Sequence, residues 1–170
     1  GSDGYYTRDG QRLGFTINCS AGDQVRIDMA QIAAQQLKQI GIDVKVEVPA
    51  QIDWSNQEAF LIGWGSPFDA DDHTYKVFAT GMGSNFSSYS NEKVDEYLSL
   101  ARQTSDTAER AKYYALFQEE LARDPAFTFF CYVDANYVGI AGLQGISEET
   151  IMGHHGVGIF WNVNEWTIQK

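Results

Sequence analysis

Two adjacent histidines, His154 and His155, are the residues of this chain best suited to hold a metal. Neutral imidazole is a ligand for nickel, copper and zinc. Side chains of neighbouring strand residues point to opposite faces, but Gly153 and Gly156 flank this pair and permit a loop in which both rings turn the same way. Two ligands fall short of the four of structural zinc or the three of catalytic zinc, so the pair needs a further ligand from elsewhere or from a bound chelator. The third histidine, His73, lies in a run with Asp69, Asp71 and Asp72. Oxygen and imidazole donors at that spacing suit a divalent cation. The simpler account is a helix start whose acids favour the N-terminal dipole.

A second group of residues suits a broad, flat ligand. The stretch "GWGSPFDADD" places Trp64, Gly65, Ser66, Phe68 and Asp69 directly after the apolar run "EAFLI". Loops at the ends of strands are where open α/β sheets present ligands. An exposed indole face there offers contact to a side chain, a peptide plane or a planar chelate. Trp161 and Trp166, in the aromatic tail, read as core residues, as most tryptophans do. The chain contains no GxSxG elbow, no phosphate-binding GxxxxGK[ST], no GxGxxG after a strand and no HExxH. Binding therefore fits these residues better than catalysis, and no cofactor is implied.

The elements that must position these residues follow from hydrophobic period. "RLGFTINCS" alternates through Leu13, Phe15, Ile17 and Cys19, the pattern of a half-buried strand. "DQVRIDMAQIAAQQLKQIG" sets Val25, Met29, Ile32, Ala33, Leu37 and Ile40 at steps of three and four, with Asp23 as N-cap and Gly41 after the C-terminus. "IDVKVEV" alternates again. Strand, helix and strand in this order predict a crossover joining parallel strands. "EAFLIGW" is a third apolar run, and a short helix is expected over "DDHTYKVF". Asn91 caps "EKVDEYLSLARQ", and Asp106 with Glu109 starts "TAERAKYYALFQEELAR", which Asp124-Pro125 ends. Two antiparallel helices are the natural product. The runs "AFTFFCYV" and "NYVGIAGL" predict two further strands, with Cys131 buried in the first. The fold class expected is α/β, a mixed sheet with flanking helices.

The 170 residues suit one domain with a sizeable core. Gly1-Ser2 reads as the scar of a cleaved tag, leaving 3–170 as a single unit. The 23 acidic residues against 12 basic ones give a net charge of −11, which repels nucleic acid. No run of residues is long and apolar enough to span a bilayer. Cys19 and Cys131 belong to no CxxC pair, and small buried thiols are the expected state of both.

The ordered set "QLKQIGIDVKVEV", "FLIGWGSPFDADD", "SSYSNEKVDEYLSLA" and "DTAERAKYYALFQEELARDPAFTFF" resembles the C-terminal lobe of the family 5 extracellular solute-binding proteins, which feed oligopeptide, dipeptide and nickel ABC importers. The resemblance spans roughly residues 12–145. It implies one lobe of a type II periplasmic-binding-protein clamp, a non-catalytic module. Partners implied are a small peptide or metal-chelate ligand, an N-terminal lobe of the same protein and a membrane permease. The implied location is extracytoplasmic, in the periplasm or lipid-anchored at the outer face of the membrane. In the peptide binders an aspartate three residues after the tryptophan holds the ligand's amino terminus; that position is Pro67 here, so Asp69 is the candidate substitute. "WGSPFD" is similar to the nickel-binding branch, which implies contacts from Trp64 and Phe68. His154-His155 resembles a paired-histidine prong of some nickel binders, with nickel as transported ligand. A metal-dependent hydrolase and a protein-interaction domain using the exposed aromatics are the rival classes.

Overall fold

The computed structural model describes residues 1–65, 69–134, 136–146 and 158–169. The chain forms two compact units, Gly1–Gly63 and Trp64–Lys170.

The first unit begins with a small hairpin. β1 (Thr7–Arg8) pairs antiparallel with β2 (Gln11–Arg12), with Thr7 opposite Arg12 and Arg8 opposite Gln11. The loop is the dipeptide Asp9-Gly10, both at positive φ (54° and 79°), as a two-residue turn matched to strand twist demands. The expected strand, helix and strand follow. β3 (Gly14–Asn18) runs parallel to β4 (Asp43–Glu47), joined by helix α1 (Gln24–Gln39). Asp23 caps α1 by accepting from the Arg26 amide. Gly41, at φ 82°, turns the chain back toward β4. β5 (Ala59–Phe60) pairs parallel with the other edge of β3, giving the order β4-β3-β5. Ile17, Cys19 and Ala30 are buried here, with Phe15, Ile27, Val44, Val46, Ala59 and Leu61 packed against them.

The second unit is mainly helical. α3 (Glu92–Gln103) and α4 (Thr107–Arg123) carry the caps their sequences predict, Asn91 and Asp106, and α2 (Ala70–Phe78) is capped by Asp69, each side chain accepting from amides of the first turn. Ala79, Val94, Leu98, Ala101, Tyr114, Phe117 and Leu121 form its buried core, the apolar faces of α3 and α4 meeting. The end of α4 is tied to the start of α3: Asn91 Nδ2 donates to Asp124 Oδ2 (2.9 Å), and the Tyr89 hydroxyl donates to the Asp124 carbonyl (3.0 Å). Near the C-terminus β6 (Leu143–Gln144) pairs antiparallel with β7 (Thr167–Ile168), and a 3-10 segment, Gly158–Glu165, lies between them in the chain. The molecule is therefore mixed α/β, with small sheets and helices.

Three expectations need correction. Residues 126–133, written "AFTFFCYV", form no strand, and of "NYVGIAGL" only Leu143 enters one, in β6. An apolar, aromatic-rich run has the composition of a strand, but a strand also needs a neighbour to receive its hydrogen bonds. Among the described residues none pairs with this segment. Ala126 and Phe127 pack toward the helical core, but the apolar side chains beyond them are open to solvent, with Phe129 70% and Val138 99% exposed. For the same reason Cys131 is an exposed free thiol, whereas Cys19 is buried and free, its thiol pushed up by desolvation. Trp161 is exposed rather than core, and Trp166 is half-buried with its indole N–H donating to Asn162 Oδ1 (3.0 Å).

Candidate ligand-binding site

Trp64 opens the second unit and is 39% exposed. Its ring lies nearly parallel to Phe86, with centroids 6.2 Å apart and planes 10° apart, and 5.8 Å from the His73 imidazole. Phe86 reaches this place because the loop between α2 and α3 is tightly bonded. Asn85 Nδ2 donates to the carbonyls of Ala79 (3.0 Å) and Tyr89 (2.8 Å), and Asn85 Oδ1 accepts from the Tyr89 amide (3.0 Å). One side chain thus spans the loop at three points and fixes the residue after it. The indole, the phenyl and the imidazole form an aromatic ledge whose tryptophan remains open to solvent, a surface suited to apolar or planar ligand groups.

Gly65 follows Trp64 in open backbone. Ser66 and Phe68, the next candidates, lie outside the described residues. Asp69 is described and is heavily engaged. Its Oδ1 accepts from the Asp71 amide (2.8 Å) as the cap of α2, and Arg110 of α4 forks onto both oxygens, Nη2 to Oδ1 at 2.9 Å and Nη1 to Oδ2 at 3.2 Å. The Arg110 bonds, and then the Asp71 amide, hold this carboxyl below its usual range, and Arg110 is raised correspondingly. Its side chain stays about half exposed, so Oδ2 retains a lone pair for a further donor.

The neighbouring acids are matched in the same way. Asp71 Oδ2 lies 3.4 Å from Arg102 Nε, and Asp72 Oδ1 lies 3.1 Å from Lys76 Nζ. Each acid of the Asp69-Asp71-Asp72 run has its own cation, and among the described residues no three His, Cys, Asp or Glu side chains converge on a possible metal. The cation account of His73 and its neighbours therefore has no geometric support, while the account as acids at a helix start fits α2. His73 Nδ1 and Asp71 Oδ1 are buried without hydrogen-bond partners. His154 and His155 lie outside the described residues.

Sequence reasoning missed Phe86, Asn85 and Arg110. The glycine-rich "GMGSN" reads as a flexible turn, yet Asn85 within it makes the bonds that shape it. Arg110 gave no signal, since its partner is 41 residues away. The concave surfaces of the first unit, lined by Tyr6–Leu13 and by residues of β3, β4 and Glu58, include none of the candidate residues.

Residues 1–86 match the bacterial extracellular solute-binding proteins, family 5 Middle. Over 159 residues the chain is 36% identical to Protein XP55 of Streptomyces lividans, covering 88% of this chain and 29% of that protein. Among solved structures it is similar to NikZ from Campylobacter jejuni in complex with Ni(L-His), at 39% identity and a TM-score of 0.81, over 98% of this chain and 36% of that one. It is also similar to the oligopeptide-binding protein AppA from Bacillus subtilis in complex with a nonapeptide, at 25% identity and a TM-score of 0.74, over 99% of this chain and 34% of that one. The chain thus spans about a third of the length of these relatives. With the family match over half of its residues, the chain belongs to the family 5 bacterial extracellular solute-binding proteins, whose members are substrate-binding components of ABC transporters.

Proposed function

We propose that this chain is one ligand-closing lobe of the solute-binding component of an ABC importer, and that the whole protein captures a short peptide by closing its lobes and presents it to a membrane permease. The carrying observation is the half-open Trp64 indole, stacked on Phe86 at the point where the first unit ends. Trp64, Gly65, Ser66 and Phe68 would bury the ligand's apolar and planar parts, and the free lone pair of Asp69 Oδ2 would accept one of its N–H groups. The similarity to AppA, an oligopeptide-binding protein, supports a peptide ligand. The exposed apolar side chains of Phe129, Phe130, Tyr132, Val133, Val138 and Ile140 fit a further lobe of the same protein, since patches of this kind mark surfaces that another body covers. An extracytoplasmic location accords with the family, and no described helix is long and apolar enough to cross a membrane.

One observation favours a second ligand class. Arg110 neutralises Asp69, so this acid has little charge left to attract a peptide ammonium group, and Pro67 offers no side-chain acceptor. A nickel chelate needs no such acid, and NikZ, which holds Ni(L-His), is 39% identical to this chain. On this account His154 and His155 supply imidazole to the metal, and nickel is cargo.

Calorimetric titration of the full-length protein separates the two. A mixed di- to pentapeptide pool is compared with Ni²⁺ plus L-histidine, on wild type and on His154→Ala/His155→Ala. Peptide binding indifferent to the double substitution supports the first account. Nickel binding lost in the double variant supports the second, and binding of neither probe contradicts both.

A further inference from the structure

Trp64 lies outside any helix or strand, so no regular element holds its side chain and its neighbours must. Of the two rings described above, His73 is tilted by 46° to the indole, whereas Phe86 lies within 10° of parallel to it. Phe86 thus backs the indole face to face, and it is carried by the loop between α2 and α3.

What fixes that loop is the Asn85 side chain, and every hydrogen-bonding position of its amide is taken. A primary amide has two N–H donors and two acceptor lone pairs. Nδ2 donates to the carbonyls of Ala79 (3.0 Å) and Tyr89 (2.8 Å), while Oδ1 accepts from the Tyr89 amide (3.0 Å) and the Ser87 hydroxyl (3.3 Å). Both ends of this set are anchored in the helical unit. Ala79 is buried in the core just after α2, and the Tyr89 hydroxyl donates to the Asp124 carbonyl just after α4 (3.0 Å). Inside the span, Ser88 adopts φ 54°, the left-handed region that side chains other than glycine disfavour. Such a conformation persists where the surrounding bonds over-determine it, and here the bonds of Asn85 and Tyr89 flank it on the page of contacts just given. Phe86 is therefore carried on a fixed turn, although Gly81 and Gly83 precede it.

We propose that Asn85 is a positioning residue for ligand binding: it acts through Phe86, which backs the Trp64 indole and sets the plane of the aromatic face offered to the ligand. An indole with a fixed tilt meets a flat ligand group without first being ordered. An indole free to turn among rotamers loses that freedom on binding, and affinity falls accordingly. The four bonds also explain the residue type. Aspartate has the same shape but no side-chain N–H, and it would set a carboxylate against two carbonyl oxygens.

This inference rests on Trp64 being ligand-facing, and the test separates the two claims. The full-length protein is labelled with 5-fluorotryptophan, the Trp64 fluorine signal being the one missing from Trp64→Phe. Spectra are recorded for wild type, Asn85→Asp and Phe86→Leu. Dissociation constants for the peptide pool and for Ni²⁺ with L-histidine are measured on these proteins, on Trp64→Ala, and on each of the two substitutions combined with Trp64→Ala. Phe86→Leu leaves the Asn85 amide in place, so the test survives if Asn85→Asp does not fold.

The expected result is that the Trp64 signal moves in both single variants while the other tryptophan signals stay. The Asn85→Asp spectrum is the more telling, since that substitution keeps both rings. Affinity for the better probe falls by about two- to tenfold in each, the size expected for ordering one side chain on binding. In the Trp64→Ala background neither substitution weakens binding further, because both act through the indole. An unmoved Trp64 signal, or losses that simply add to that of Trp64→Ala, overturns the positioning role while leaving Trp64 as a ligand contact. If Trp64→Ala binds both probes as wild type does, the ligand reading itself fails and the role of Asn85 in binding fails with it.

Discussion

At the scale of single residues, the sequence picks out Trp64 as an aromatic contact and Asp69 as an acceptor for the ligand, and the structure gives the two different surroundings. Trp64 keeps an open aromatic face, whereas Asp69 is bonded to its own chain through both oxygens. Because Arg110 holds the Asp69 carboxyl below its ordinary value of 3.8, folding favours the ionised form. The stability this provides is complete at neutral pH, begins to fall as pH approaches the ordinary value, and is gone once pH is below the lower folded value. A melting series should therefore show wild type above Asp69→Asn at neutral pH, with the gap closing in acid; a gap that widens in acid contradicts the ion pair. The cysteines give a second check. Cys131 is exposed and Cys19 is buried with its thiolate disfavoured, so a thiol reagent should modify one cysteine quickly in the native chain and the other only on unfolding. Rapid modification of both would contradict the burial of Cys19.

At the scale of elements, the helices were legible because each carries its own instructions. Asn91 before "EKVDEYLSLARQ" and Asp106 before "TAERAKYYALFQEELAR" state where α3 and α4 begin, and the three- and four-residue spacing states which face is buried. Asn91→Ala should cost about 1 kcal/mol as a lost cap, and somewhat more because its amide also holds Asp124. Leu98, fully buried between α3 and α4, should cost roughly 2–5 kcal/mol on truncation to alanine. Denaturant unfolding monitored on the helical unit checks both, and equal effects of the two would contradict the core assignment. The strand β3 and its neighbour β4 were legible for a related reason: the crossover helix between them brings the partner along. "AFTFFCYV" has the aromatic, apolar composition of a strand, but the described residues supply no partner to pair with it. Asn85 and Arg110 were illegible since their work depends on contacts the linear sequence does not display, one across a folded-back loop and one across 41 residues.

At the scale of the whole molecule, the fold class and the family were carried by the order of the segments, and each piece alone says little. The chain covers about a third of its relatives' length, and the exposed apolar residues Phe129, Phe130, Tyr132, Val133, Val138 and Ile140 are where the covering lobe proposed above would rest. Amides of residues 127–134 should exchange quickly in the isolated chain and become protected in the full-length protein; equal exchange in both would contradict a covering lobe. The central claim is that the Trp64 ledge receives the transported ligand. Its most direct test is the dissociation constant of the full-length protein for its better probe, the peptide pool or Ni²⁺ with L-histidine, in wild type and in Trp64→Ala. An aromatic contact of this kind predicts affinity weakened by roughly tenfold or more, the equivalent of about 1.4 kcal/mol, with the thermal midpoint little changed. Equal affinity in the two proteins would place the ligand elsewhere.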